Sequence, residues 1–132
     1  MNTTTDSERR KLYIALSYCS FLKGSERLLL ARTLDTLQAL TVSSIDTLSR
    51  IVQRSSRIIR RTLRTRSYKP EQLPQAVEKA EALMKYCRIN MTFYDDSDFP
   101  PLLREIPDAP FLLYYRGVFP QADTPAVAIV GT

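Results

Sequence analysis

Five arginines, Arg50, Arg54, Arg57, Arg61 and Arg64, recur at intervals of 4, 3, 4 and 3 within residues 50–69, a stretch with eight basic residues and no acid. A guanidinium is a permanent cation whose planar fork of donors matches a pair of phosphate oxygens. On a continuous helix, at about 100° per residue, the five would lie within roughly 40° of one line about 20 Å long. Leu48, Ile51, Ile58 and Ile59 would fall on the other side. Like charges at i, i+4 repel, so an acid-free line costs stability unless a polyanion offsets it. The chemistry this predicts is contact with nucleic-acid phosphates, without sequence readout. No aromatic residue interleaves the arginines, so base stacking is not expected there. Other readings of the same residues are a solvated face, ion pairs with the following helix and the Asp95–Asp98 turn, or docking of an acidic protein partner. Membrane attachment is disfavoured, because the apolar side is needed for a core.

Three further groups of residues could do chemistry. Asp95, Asp96 and Asp98 could form a metal or acid–base cluster, but they precede Phe99-Pro100-Pro101, where aspartate favours a turn by bonding nearby amides. Tyr114-Tyr115 beside Arg116 could stack a base, although alternation along a strand would send at least one ring into the core. Ala126 to Val130 is a continuous apolar run rich in β-branched residues, which reads as a strand buried on both faces. It leads into Gly131-Thr132, where a strand would turn into a phosphate-binding loop and helix. A buried parallel strand needs a crossover and a partner. The chain is therefore expected to be the first half, or less, of a larger α/β protein, with Ala126–Val130 poorly packed on its own.

Composition narrows the classes. With 132 residues and 44% apolar content, the chain suits a globular fold. It has no histidine, which removes His-based acid–base chemistry, most nucleophile triads and His-ligated zinc. Cys19 and Cys87 are too far apart in sequence for a metal motif and read as reduced core residues of a cytoplasmic protein. There is no apolar stretch of about 18 residues to span a membrane, and the polar start, Met1 to Asp6, has no signal-peptide core. Catalysis, metal and cofactor are not expected. The net charge of +5 is unevenly distributed: residues 1–69 hold 14 Lys/Arg against 5 Asp/Glu, and residues 70–132 hold 5 against 9. The surplus that would attract a polyanion lies in the first part.

The elements that must position these residues follow from periodicity and caps. A first helix, capped by Asp6 or Ser7, is predicted to run to about Leu22 and stop at Lys23-Gly24. Ser25 would cap a second, holding Leu28, Leu29, Ala31, Arg32 and Leu34. Ser43 or Ser44 would cap a third, with Ile45, Leu48, Ile51 and Val52. A fourth holds Ile58, Ile59 and Leu63, after a break at Ser55-Ser56. Pro70 opens a fifth, with Leu73, Val77, Ala80, Met84 and Cys87 on one face and Lys85 and Arg88 at its end. Beyond Ile89 the period changes. Met91–Tyr94 reads as a strand, Pro100-Pro101 opens a single helical turn to Glu105, Phe111–Tyr115 is a second strand, and Gly117–Thr124 is a linker. Residues 1–89 thus form a helical domain, and residues 90–132 the opening of a second.

That opening carries a resemblance. Thr92-Phe93-Tyr94-Asp95-Asp96-Ser97-Asp98-Phe99-Pro100-Pro101-Leu102-Leu103-Arg104-Glu105-Ile106-Pro107-Asp108-Ala109-Pro110, then Phe111–Tyr115, Gly117 and Ala128-Ile129-Val130-Gly131-Thr132, resembles the start of the core domain of the DprA/Smf family, the bacterial DNA-processing protein A. The pattern there is D-D-x-x-Y-P-x-L-L-x-x-I-x-D-x-P, a strand, an aromatic-x-G, a linker and A-I-V-G-S/T-R. Phe99 stands where the family usually has Tyr, and the final Arg would follow Thr132. The resemblance implies a small helical domain, sterile-alpha-motif-like or helix–hairpin–helix-like, followed by the first strands of a truncated Rossmann-like α/β domain. It implies a parent that binds single-stranded DNA and loads the RecA recombinase in natural transformation, with a homodimer in the full-length protein. Gly131 and Thr132 match the loop that helps to hold DNA phosphate. Leu22-Lys23-Gly24-Ser25-Glu26-Arg27-Leu28-Leu29 loosely resembles a backbone-binding hairpin, but with Gly24 alone where two glycines are usual. The candidate nucleic-acid-binding residues are therefore Arg50, Arg54, Arg57, Arg61 and Arg64, from their own type and spacing, and Gly131 and Thr132, from the resemblance.

Overall fold

The computed structural model describes residues 3–65, 67–121 and 123–132. Arg66 of the basic stretch, Ala122 of the linker, and Met1 and Asn2 lie outside the described residues. The fold is mainly α-helical, with one small sheet.

Helix α1, Thr3–Ser17, is the centre of the packing and contacts α2, α3 and α6, introduced below. Five consecutive residues, Leu12 to Leu16, are buried, so the end of this helix is enclosed on all sides. The helix stops at Ser17, earlier than the expected Leu22. The chain then turns tightly, with the Cys19 amide donating to the Leu16 carbonyl, and still buries Cys19, Phe21 and Leu22. The apolar period continued past Ser17 because the turn buries the same kinds of residue as the helix does.

Gly24 opens α2, Gly24–Thr33, instead of closing the helix before it. The cap residue is Lys23, not Ser25, and the Glu26 carboxylate reaches back to accept the Lys23 amide at 2.8 Å. A Cβ on Gly24 would lie 3.4 Å from the Ala109 carbonyl oxygen, so this glycine lets α2 approach the loop after α7.

A short helix unforeseen in the sequence, α3 (Leu37–Val42), is capped by Thr36, whose hydroxyl accepts the Ala39 amide at 3.1 Å. Helix α4, Ile45–Val52, starts as expected at Ser44, whose hydroxyl accepts the Thr47 amide. It ends at Gln53 in the left-handed conformation, φ 55°. Helix α5, Ser56–Leu63, follows, so the expected break falls over Gln53 to Ser55. A 3₁₀ turn, Pro70–Gln72, leads into α6, Leu73–Cys87, which ends at left-handed Arg88.

Strands β1, Asn90–Phe93, and β2, Leu112–Tyr115, pair antiparallel, with Asn90 opposite Tyr115 and Phe93 opposite Leu112. Between them lies α7, Pro101–Arg104. The sheet packs onto α1 through aromatic rings. Tyr13 stacks on Phe93 at 3.7 Å between centroids, and Phe111 meets both rings edge-on. Residues on both sides of position 90 thus share one core.

The strand expected over Ala126–Val130 does not form among the described residues. Val127, Ile129 and Val130 are each at least 90% exposed. A strand buried on both faces needs flanking strands and covering layers, and the two-stranded sheet supplies neither to this run.

Candidate nucleic-acid interface

The five arginines do not share one line, because the chain turns between α4 and α5. Gln53 swings Arg54 toward the interior. There Arg54 Nη2 donates to the Phe21 carbonyl at 2.7 Å, and its Nε lies 2.9 Å from Glu26 Oε2. The pair is well shielded, with the two side chains 19% and 10% exposed. Ser49 fixes the turn from behind, its hydroxyl donating to the Arg54 carbonyl and its own carbonyl accepting the Arg54 amide. Arg54 thus fastens the α4–α5 turn to the start of α2 and is not part of an outward stripe.

Four arginines face solvent from α5 and its end. Arg57, Arg60, Arg61 and Arg64 are exposed and, with Ser56, line an open concavity of about 520 Å³. Arg57, Arg61 and Arg64 stand at i, i+4 and i+7, hence on one face. None of these three has an ion pair among the described residues. Their helix is anchored by Ile59, which is fully buried, whereas Ile58 is half exposed, so only one of the two isoleucines lies on the inner side. Arg60 is engaged. Its Nη1 lies 3.1 Å from Asp46 Oδ1, and its Nη2 donates to Asp46 Oδ2 at 3.2 Å. Arg60 holds the Asp46 carboxyl below the ordinary carboxylate value, with smaller contributions from the Ser56 hydroxyl and Arg50. Arg50 itself is exposed on α4.

The aspartates of the Asp95–Asp98 turn are taken up by other groups, and among the described residues none pairs with the arginine stripe. Asp95 accepts two hydrogen bonds from Arg32, at 2.6 and 2.8 Å, and Arg32 lowers its pKa. Asp96 accepts the Phe93 amide and lies 3.7 Å from Arg10. Asp98 accepts from the Thr92 hydroxyl at 2.6 Å and from Tyr115 at 3.3 Å. Arg104 closes the turn by donating to the carbonyls of Tyr94 and Asp96 and lying over the buried Phe99 ring. Of the three carboxylates, Asp96 makes the expected bond to a nearby backbone amide, whereas Asp95 is held by Arg32 of α2 and Asp98 by the side chains of Thr92 and Tyr115. Among the described residues, no group of three or more His, Cys, Asp or Glu side chains is placed to hold a metal.

Neither Tyr114 nor Tyr115 is buried, contrary to the expectation of one ring in the core. Tyr114 is 46% exposed, and Tyr115 packs on Phe119 at 4.1 Å between centroids. The core contribution at this strand comes from Phe111, one residue before it. Gly131, at φ 125°, and Thr132 are exposed and belong to no strand or helix. Sequence reasoning passed over Glu26, Asp46, Arg10 and Arg32. Glu26 could have been found as the third residue after a cap, and Asp46 as the acid in the first turn of α4.

The molecule is thus a helical module with a basic outer helix, joined to a strand–turn–helix–strand unit and an exposed apolar run. Residues 90–132, which hold that unit and the run, match the family model for DNA recombination-mediator protein A. The match leaves α1 to α6 outside it. No curated protein matches the chain, and no solved structure does. Among the described residues, no helix is long and apolar enough to cross a membrane.

Proposed function

We propose that this chain is part of a cytoplasmic DNA-processing protein. The whole protein would bind single-stranded DNA and pass it to the RecA recombinase as a homodimer, and the helical module would add a sequence-independent phosphate contact through α5. The family match supports a role in DNA processing and recombination. What carries the α5 contact is the set of three exposed arginines, Arg57, Arg61 and Arg64, which lack a carboxylate partner among the described residues and border one concavity. Phosphodiester oxygens would supply that partner. The proposed role is binding without catalysis, in keeping with a sequence that has no histidine. Gly131 and Thr132 enter it only as part of the complete core domain.

Fluorescence anisotropy with a labelled single-stranded oligonucleotide over a range of KCl concentrations tests the α5 contact. Three phosphate contacts predict a slope of log affinity against log salt of about −2 to −3. Replacing Arg57, Arg61 and Arg64 with alanine should flatten it toward zero. If the wild-type chain ignores DNA and instead retains one acidic protein in a salt-sensitive way, α5 is a protein-docking helix.

A further inference from the structure

Among the described residues, Arg60 alone of the α5 arginines that line the concavity already holds an anion. Asp46 meets it with both carboxylate oxygens, at 3.1 and 3.2 Å, in the forked arrangement that a phosphate would use. The carboxylate comes from a different helix, at the start of α4, and Ser56, which lines the same concavity, adds to the lowering of its pKa behind the larger effect of Arg60. Both partners are largely in water, with Arg60 54% and Asp46 61% exposed. Exposed pairs of this kind are weak and screened by salt, so a phosphate entering the concavity can compete for Arg60.

We infer that Asp46 is a built-in competitor for nucleic-acid phosphate at the α5 site: with Asp46 in place the site engages the backbone through three arginines, and Arg60 becomes the fourth only when Asp46 is displaced or removed. The inference rests on the proposed phosphate contact and deepens it. It makes a carboxylate outside α5 the residue that sets how many phosphates the helix holds and how strongly salt weakens the complex. Asp46 would keep the arginine cluster from gripping any polyanion at full strength.

The test is the same oligonucleotide titration on the full chain, comparing wild type, Asp46→Asn, the double variant Asp46→Asn/Arg60→Ala, and Asp108→Asn as an exposed acid removed elsewhere. Asp46→Asn should bind several-fold more tightly, with a salt slope steeper by about 0.7 for a single strand or 0.9 for a duplex. The double variant should return to the wild-type slope, and Asp108→Asn should keep it. Asp46→Ser, which also suits a helix start, repeats the experiment should the asparagine variant lose its circular dichroism. If Asp46→Asn matches wild type while wild type binds, the inference falls and the phosphate contact stands. A gain that survives loss of Arg60, or that Asp108→Asn reproduces, reduces the effect to net charge and overturns the inference. Absence of binding by every variant removes the phosphate contact and the inference together.

Discussion

At the scale of single residues, the charged groups of this chain separate into those that hold the fold and those left to solvent. Arg32 and Asp95 belong to the first kind. They tie α2 to the turn after β1 through two hydrogen bonds, although the two side chains remain 51% and 37% exposed. Because Arg32 depresses the Asp95 pKa, the folded chain binds that proton less readily than the unfolded chain does. The pair's contribution is therefore complete above the unfolded carboxyl pKa, about 3.9, and is lost as the pH falls through the lower folded value. Water screens so exposed a pair, which limits its worth to about 0.5 to 1 kcal/mol. Asp95→Asn should lower stability by that amount at neutral pH and by progressively less as the pH drops below the unfolded value. Urea titrations of both proteins from pH 7 to acid would show the curves converging. A constant offset would mean that the loss comes from something other than the carboxylate charge.

At the scale of elements, the α4–α5 turn decides which arginines are available. Arg54 and Glu26 latch it to α2, and breaking a shielded pair leaves one charge without compensation. Glu26→Gln keeps an acceptor for the Lys23 amide but removes the charge facing Arg54, and should cost about 2 to 3 kcal/mol. Arg57→Ala, on the open face of α5, should change stability by less than about 0.5 kcal/mol. Equal, small effects in urea denaturation would make Arg54 one more surface arginine. The elements themselves were legible to different degrees. Leu73, Val77, Ala80 and Met84 announced α6 because a long amphipathic helix repeats its signal. Ser44 marked α4 through the cap it makes. Helix α3 went unseen because six residues give too little periodicity to separate a helix from a loop. The inward turn of Arg54 could not be read at all. It depends on a left-handed residue that is Gln53 rather than glycine, and on Glu26 from a distant helix.

For the molecule as a whole, the question is whether the helical module and the family-matched segment stand or fall together. Tyr13 of α1, Phe93 of β1 and Phe111 before β2 form one aromatic cluster, and Arg10 of α1 donates to the Met91 carbonyl at 3.3 Å. Phe93 is 2% exposed, so the ring is part of the shared core. Two parts joined through a common core should unfold as one cooperative unit. Far-UV circular dichroism reports chiefly the helices of residues 3–87, while near-UV signals include the tyrosines packed at the junction. Both should follow a single thermal transition. Phe93→Ala removes the ring against Tyr13 and leaves a cavity, at a cost of about 3 to 4 kcal/mol. For a chain of this size each kcal/mol moves the midpoint by about 3 to 5 °C, so both signals should shift downward together by roughly 10 to 20 °C. If the near-UV transition moves while the far-UV transition stays, the helices form an independent unit, and the family-matched strands are an attachment rather than part of the fold's core.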